Sequence, residues 1–242
     1  ISKLKTLEKM REDFIGNVSH ELRTPISVIK ANSETLLSTK LIKDENAINF
    51  TKAIQSQSER MATIVNELLS ISSMESGDYP ISLDKLNIKN IVDSAIKELN
   101  PMTESSNIKL VNKISDITHI IGDESAIKII ISNYITNAIK HSPDDEIIEI
   151  DNEKIDKDFC RIKVIDNGIG IAKKYRERVF ERFFRVDKGR SKKIGGTGLG
   201  LSISKNLALM MGYSVGVESN EPKGSIFYID VKIHQETSKE VA

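Results

Sequence analysis

From Leu4 onward apolar residues return at steps of three and four, through Leu7, Phe14 and Val18, with Arg11 filling one position of the stripe. That spacing predicts a helix, with residues 1–12 entering as a coiled coil. A second stripe runs through Phe50, Ile54, Met61, Ile64, Leu68 and Ile71, broken only at Gln57, and a polar segment around Ser38 to Asn46 joins the two. Two long amphipathic helices with a short connection predict an antiparallel hairpin. One hairpin alone buries little, so a second copy is expected to complete a four-helix bundle. The helical period is lost over S-S-M-E-S-G-D-Y-P, residues 72–80, where Gly77 and Pro80 predict a hinge. Beyond it, β-like runs near 109–114, 147–152, 159–165, 214–218 and 225–233 alternate with helical patterns near 88–99, 124–140 and 199–211. The expected fold class is α+β: a helical hairpin over 1–73, a hinge over 74–81, and an α/β sandwich over 82–242 with one sheet and its helices on one face.

Inside the first helix, F-I-G-N-V-S-H-E-L-R-T-P sets His20 beside Glu21. At about 100° per residue, Phe14, Val18, Leu22, Ile26 and Ile29 fall within an arc of roughly 120°, with His20 nearly opposite its centre. His20 is therefore expected to face solvent, with Thr24 one turn later on the same face. Pro25 removes the donor that would bond the Glu21 carbonyl, so a kink is expected. A kinked helix displaying an imidazole is a site hypothesis; taken alone, an ordinary surface histidine is the commoner case.

Asn133 and Asn137 stand four residues apart in N-Y-I-T-N-A-I-K-H, with Lys140 one turn on, so all three share a helix face. Carboxamides plus a lysine suit a magnesium triphosphate, in which a few protein oxygens and phosphate oxygens hold the cation; a polar outer helix face reads the same way. Asp166 ends a strand and opens D-N-G-I-G-I. A carboxylate there can accept from an exocyclic amine while Gly168 and Gly170 admit a flat base, although D-N-G is also a common turn. G-G-T-G-L-G-L-S-I-S, residues 195–204, precedes a helical pattern whose free amides can cradle phosphates. It is neither a G-x-G-x-x-G fingerprint nor a P-loop, because no Lys-Ser/Thr pair follows the glycines.

Composition narrows the classes. With 35 basic and 35 acidic residues the formal net charge is zero, so there is no bulk electrostatic case for nucleic acid or an anionic membrane. The single Cys160 cannot close an internal disulfide and has no ligand partners at metal spacing, which fits a reducing, cytoplasmic compartment. No run approaches the roughly 18 apolar residues that span a bilayer. The chain opens on Ile1 within a helical pattern, which predicts a fragment of a longer protein whose missing part is N-terminal.

H-E-L-R-T-P resembles the phosphoacceptor box of two-component sensor histidine kinases, and the boxes of that family's nucleotide site follow in order. The 133–141 segment is similar to its asparagine box, with His141 where the family often has an aromatic residue. D-N-G-I-G-I, through Ile171, resembles the box whose aspartate reads the adenine amino group. F-E-R-F-F-R, with Phe180, Arg182 and Arg185, and the basic run 187–193 look like its phenylalanine box and mobile lid. Gly196, Thr197, Gly198, Leu199 and Gly200 match its glycine box, and Gly224 its last glycine element.

The resemblance covers about residues 4–233 and implies a phosphoacceptor hairpin followed by the Bergerat ATP-binding fold shared with chaperone, gyrase and mismatch-repair ATPases. It implies ATP and Mg²⁺ as cofactors, with Asn133 and Asn137 on the metal and Arg182, Arg185, Arg190, Lys192 and Lys193 meeting the γ-phosphate. It makes His20 the phosphoacceptor and Glu21 its general base, with Arg23 in the same box. The residue after H-E-x-x is Thr or Asn in this class, so Thr24 implies a phosphatase activity toward the partner's aspartyl phosphate. Implied partners are a second copy through the hairpin and a response-regulator receiver domain. Membrane attachment in a bacterial cell would come only through missing N-terminal segments. The related ATPases carry a glutamate where Asn133 stands, and an amide is no general base, which disfavours a hydrolase of that group; a catalytically dead dimeric scaffold is disfavoured by the intact boxes.

Overall fold

The computed structural model describes residues 18, 21–36, 45–104, 106–115, 119–186 and 196–235. Contacts divide the chain into two compact units, Ile1–Ser73 and Met74–Ala242.

In the first unit a helix occupies residues 21–36 (α1), and α2 (Glu45–Ser76) opens after the connection. Helix α1 carries on across Pro25, which is buried. Ile64 and Ile71 are 0% and 1% exposed, so the core of α2 follows the heptad-like stripe. Ile26, expected in the buried arc of α1, is instead 49% exposed, and Ile48, Val65 and Leu69 are exposed as well. A single hairpin has no second layer to cover these positions. The coiled-coil start, Phe14, His20 and the connection over 37–44 lie outside the described residues.

The helix does not stop where the period was expected to fail. Met74 is buried three residues after Ile71, which prolongs the stripe, and α2 ends only at Ser76, before Gly77 at φ 82. Glycine commonly ends helices in that left-handed conformation because it has no Cβ to clash.

The second unit is built on a five-stranded sheet. Its strands are β2 (Lys109–Asn112), β4 (Ile147–Lys154), β5 (Phe159–Asp166), β6 (Ser214–Ser219) and β7 (Ser225–Lys232), ordered β2-β4-β5-β7-β6. Only β2 and β4 run parallel. Alternation sorts the faces: Cys160, Ile162 and Val164 of β5 and Phe227, Ile229 and Val231 of β7 point to the core, while Arg161 and Lys163 point away. On the outer face Arg161 bonds Asp230 at 2.7 Å and Glu218 at 2.9 Å, with its guanidinium carbon 3.6 Å above the Tyr228 ring.

Helices α3 (Ile88–Leu99), α4 (Glu124–His141) and α5 (Gly200–Met210) cover the inner face, α4 lying between the other two. Asp123 caps α4 by accepting from the Ala126 N–H at 2.9 Å. The apolar stripe of α4, Ile127, Ile130, Ile131, Tyr134 and Ile135, is fully buried. A two-stranded sheet of β1 (Asp84–Asn87) and β3 (His119–Gly122) was not expected. Each strand is four residues long, too short for alternation to register as a pattern. Among the described residues no helix is long and apolar enough to cross a membrane.

Ile130→Ala should cost about 2–5 kcal/mol, read as a drop in urea midpoint, whereas Ile129→Ala, at a position 37% exposed, should cost under about 1 kcal/mol. Equal losses at the two positions would mean that the inner stripe of α4 is misassigned.

Candidate functional site

Four segments meet at one end of the second unit: the C-terminal half of α4, the end of β5, the turn before β7, and the start of α5. Asp166 is the last inward position of β5, continuing the row of Cys160, Ile162 and Val164, so a carboxylate occupies what is otherwise an aliphatic place. It is 3% exposed. Its Oδ1 accepts from the Gly168 N–H at 2.8 Å and the Ser225 N–H at 3.2 Å, and neither bond uses Oδ2. Burial pushes its carboxyl up from the ordinary carboxylate range, and the two amides partly hold it back.

Two glycines make this geometry possible. Gly224 lies at φ 125, and a Cβ there would fall 1.9 Å from the Asp166 carbonyl oxygen. At Gly168 a Cβ would fall 2.5 Å from the carbonyl oxygen of His141. The backbones of α4's end, the D-N-G turn and the β7 approach are thus in contact around one carboxylate. Gly170 sits beside Gly224, and Ile171 is half-buried, its carbonyl accepting from Arg176 at 3.2 Å. The His141 imidazole is disfavoured as a cation by burial and by Lys140.

Asn133 donates through Nδ2 to the Gly200 carbonyl at 3.0 Å and to the Ser204 hydroxyl at 3.1 Å, which fixes its carboxamide against the first turn of α5. Asn137 and Lys140 follow, half-buried. Helix α5 begins after Leu199 with no side-chain cap. Thr197 Oγ1 accepts from the Leu199 N–H at 3.2 Å, and the Gly198 carbonyl accepts from the Phe183 N–H at 2.9 Å. Lys140 Nζ and Arg185 Nη2 come within 3.8 and 3.9 Å of where a Cβ on Gly196 would stand. The structure therefore gathers cations and helix-terminal amides in one place, an arrangement suited to anionic oxygens. Amide oxygens beside them suit a hard divalent cation that shares its shell with phosphate and water.

Phe180 is 7% exposed and packs as core. Arg182, in the same unit, is ion-paired with Glu75. The lid candidates Arg190, Lys192 and Lys193 lie outside the described residues.

In the hairpin Glu21 and Thr24 are half-buried and Arg23 is exposed. Glu21 Oε2 pairs with Arg60 Nη2 at 2.9 Å, a partner that no local spacing signals because 39 residues separate the two.

Sequence reasoning also missed Asn220, which donates to the Asp166 carbonyl at 2.9 Å and to Asn167 Oδ1 at 3.0 Å, and Ser225, which acts through its backbone. A backbone donor leaves no residue-type signal, and Asn220 sits in a turn where asparagine is ordinary.

Two family models match the chain. Residues 10–77 match the His Kinase A (phospho-acceptor) domain, and residues 122–235 match the histidine kinase-, DNA gyrase B- and HSP90-like ATPase. Among curated relatives, the sensor-like histidine kinase SenX3 of Mycolicibacterium smegmatis is 35% identical over 93% of this chain and 58% of its own length. Sensor histidine kinase WalK of Bacillus subtilis is 34% identical over 98% of this chain and 39% of its own length. The phosphate regulon sensor protein PhoR of Pseudomonas aeruginosa is 33% identical over 94% and 51%. The chain thus spans about half the length of these relatives.

Among solved structures, full-length ShkA in complex with AMPPNP aligns at TM-score 0.68 and 25% identity, over 93% of this chain and 46% of that one. Acinetobacter baumannii AdeS shares the fold at TM-score 0.72 and 22% identity, over 89% of this chain and 98% of that one. The two family models sit in tandem and the relatives align across both, so the chain belongs to the sensor histidine kinases of two-component systems.

Proposed function

We propose that this chain is the catalytic core of a histidine autokinase: residues 82–242 bind Mg-ATP, the hairpin over 1–73 presents His20, and the hinge over 74–81 lets one reach the other. The observation that carries the reading is Asp166, a buried carboxylate braced by two backbone N–H groups and walled by backbone, beside a helix start flanked by Lys140 and Arg185. Adenine donates its amino group to Asp166, and the phosphates meet Lys140, Arg185, the amides of 196–200 and the lid. Asn133 and Asn137 would hold Mg²⁺, which neutralises phosphate charge when bound.

In the reaction an imidazole nitrogen of His20 attacks the γ-phosphorus in line. The N–P bond forms, the bond to the β,γ-bridging oxygen breaks, ADP leaves, and the ring proton passes to Glu21. Positioning and charge stabilisation by the basic groups supply most of the rate effect. The resulting phosphoramidate is labile and suits transfer to an aspartate of a receiver domain. In a separate hydrolysis, Thr24 positions a water that attacks the phosphorus of that aspartyl phosphate, breaking its bond to the carboxylate oxygen and releasing inorganic phosphate. Asn133 spends its amide on Gly200 and Ser204 and offers no base for water, which favours transfer over hydrolysis. Exposed Ile26, Ile48, Val65 and Leu69 support pairing of two hairpins into a homodimer. The full-length protein would be held at a bacterial membrane by segments beyond this chain.

With γ-labelled ATP and Mg²⁺ the parent should carry acid-labile, alkali-stable label and His20→Gln none; phosphate release without protein label would instead restore the hydrolase. Thr24→Ala should keep autophosphorylation while dephosphorylation of the regulator falls at least about tenfold, and unchanged dephosphorylation would remove Thr24 from that role. ATP affinity should weaken as pH falls. The free Asp166 carboxyl titrates above the usual carboxylate range, and its protonation removes the charged acceptor, so a flat affinity from neutral pH down through that range would count against Asp166 as the adenine partner.

A further inference from the structure

We propose that Arg60 is the positioning residue for Glu21, holding the general base of the autokinase from the opposite helix of the hairpin. The inference rests on the autokinase reading and adds to it a residue on α2.

The geometry is specific. Arg60 Nη2 lies 2.9 Å from Glu21 Oε2, with side chains 24% and 19% exposed. By contrast, the ion pair Lys30–Glu34 on α1 spans 3.8 Å with side chains 75% and 66% exposed, a local solvated contact of small worth. Arg60 stands one helical turn before the fully buried Ile64, on the side of α2 that meets α1. Beyond Gln57, its neighbours on that stripe toward the C-terminus, Met61 and Ile64, are apolar, and an aliphatic side chain would pack there at no electrostatic cost.

The guanidinium is instead held partly desolvated, and its Nε is buried with no hydrogen-bond partner among the described residues. Leaving a charged donor unsatisfied costs free energy, and partly buried pairs return little net stability. A cation kept at such a position points to a task beyond holding the helices together.

That task follows from what a general base needs. A carboxylate on three rotatable bonds samples many positions, and proton transfer requires its oxygen within hydrogen-bond reach of the donor. Arg60 engages Oε2 and so leaves Oε1 to receive the imidazole proton. A guanidinium suits the role because it stays charged and cannot itself take the proton. In this role Arg60 acts through Glu21, the residue it is paired with.

The test measures autophosphorylation of the full chain with γ-labelled ATP for the parent, Arg60→Met and Arg60→Lys, each also in a Glu21→Gln background, alongside regulator dephosphorylation and thermal unfolding. Methionine keeps the stem and removes the charge. Arg60→Met should lower kcat about ten- to a hundredfold with KM for ATP within about twofold, and should leave dephosphorylation intact. Arg60→Lys should restore part of the rate, and in the Glu21→Gln background Arg60→Met should cause no further loss.

A kcat for Arg60→Met within twofold of the parent would overturn the proposal. So would a full additional loss in the Glu21→Gln background, or a joint loss of both activities with lowered thermal stability, which would mark Arg60 as structural only. Absence of label on the parent would overturn the autokinase reading itself, and this proposal with it, and is distinguished because it does not depend on position 60.

Discussion

The candidate site hangs on one backbone contact: the approach of Gly224 to the carbonyl of Asp166, so close that even a methyl group would fall 1.9 Å from that oxygen. Register produces it. Asp166 pairs with Ser225 at the last rung of the β5–β7 ladder, and the chain entering β7 must pass directly over the carbonyl of its partner. The Ser225 N–H then points at the Asp166 carboxylate, Gly168 closes the turn from the other side, and Asn220 ties the Asp166 carbonyl to the β6–β7 connection. A carboxylate so enclosed is expensive to ionise. That cost is offset only in part by two amides, which is the condition of a group waiting for a donor.

The rest of the second unit positions the groups around that point. Packing of α4 between α3 and α5 turns Asn133 toward the first turn of α5, and the bond from Asn133 to Gly200 fixes the uncapped helix start beside Lys140 and Arg185. The outer face of the sheet, laced by Arg161 with Asp230 and Glu218, takes no part in this arrangement. The hairpin contributes a different chemistry, a carboxylate held by an arginine from across the helix pair. The candidate nucleotide site and the proposed general base thus lie on separate units of one chain.

Much of this was legible in residue order. The five strands of the main sheet and the helices α3, α4 and α5 begin and end within about two residues of their periodic patterns, because each buries one face and alternation or the 3.6-residue period records that burial. The same logic failed in three places for physical reasons. Strands β1 and β3 are too short to show a period, α2 outlasts its visible stripe because Met74 prolongs it within a polar run, and Ile26 stays exposed because one hairpin has no second layer. In the site, side-chain motifs were readable. The Ser225 amide, the Asn220 brace and the Arg60–Glu21 pair were not, since they depend on register and on contacts between distant segments.

If Asp166 reads the base as proposed, binding must depend on the exocyclic amine of adenine. The direct measurement is the equilibrium affinity of the chain for ATP and for inosine triphosphate, which keeps the phosphates and ribose but carries an oxo group in place of the amine. The braced carboxylate predicts an affinity for the inosine nucleotide at least about a hundredfold lower, since an acceptor would then face an acceptor in a desolvated site. Equal affinities would contradict it and would move the recognition of the nucleotide away from Asp166.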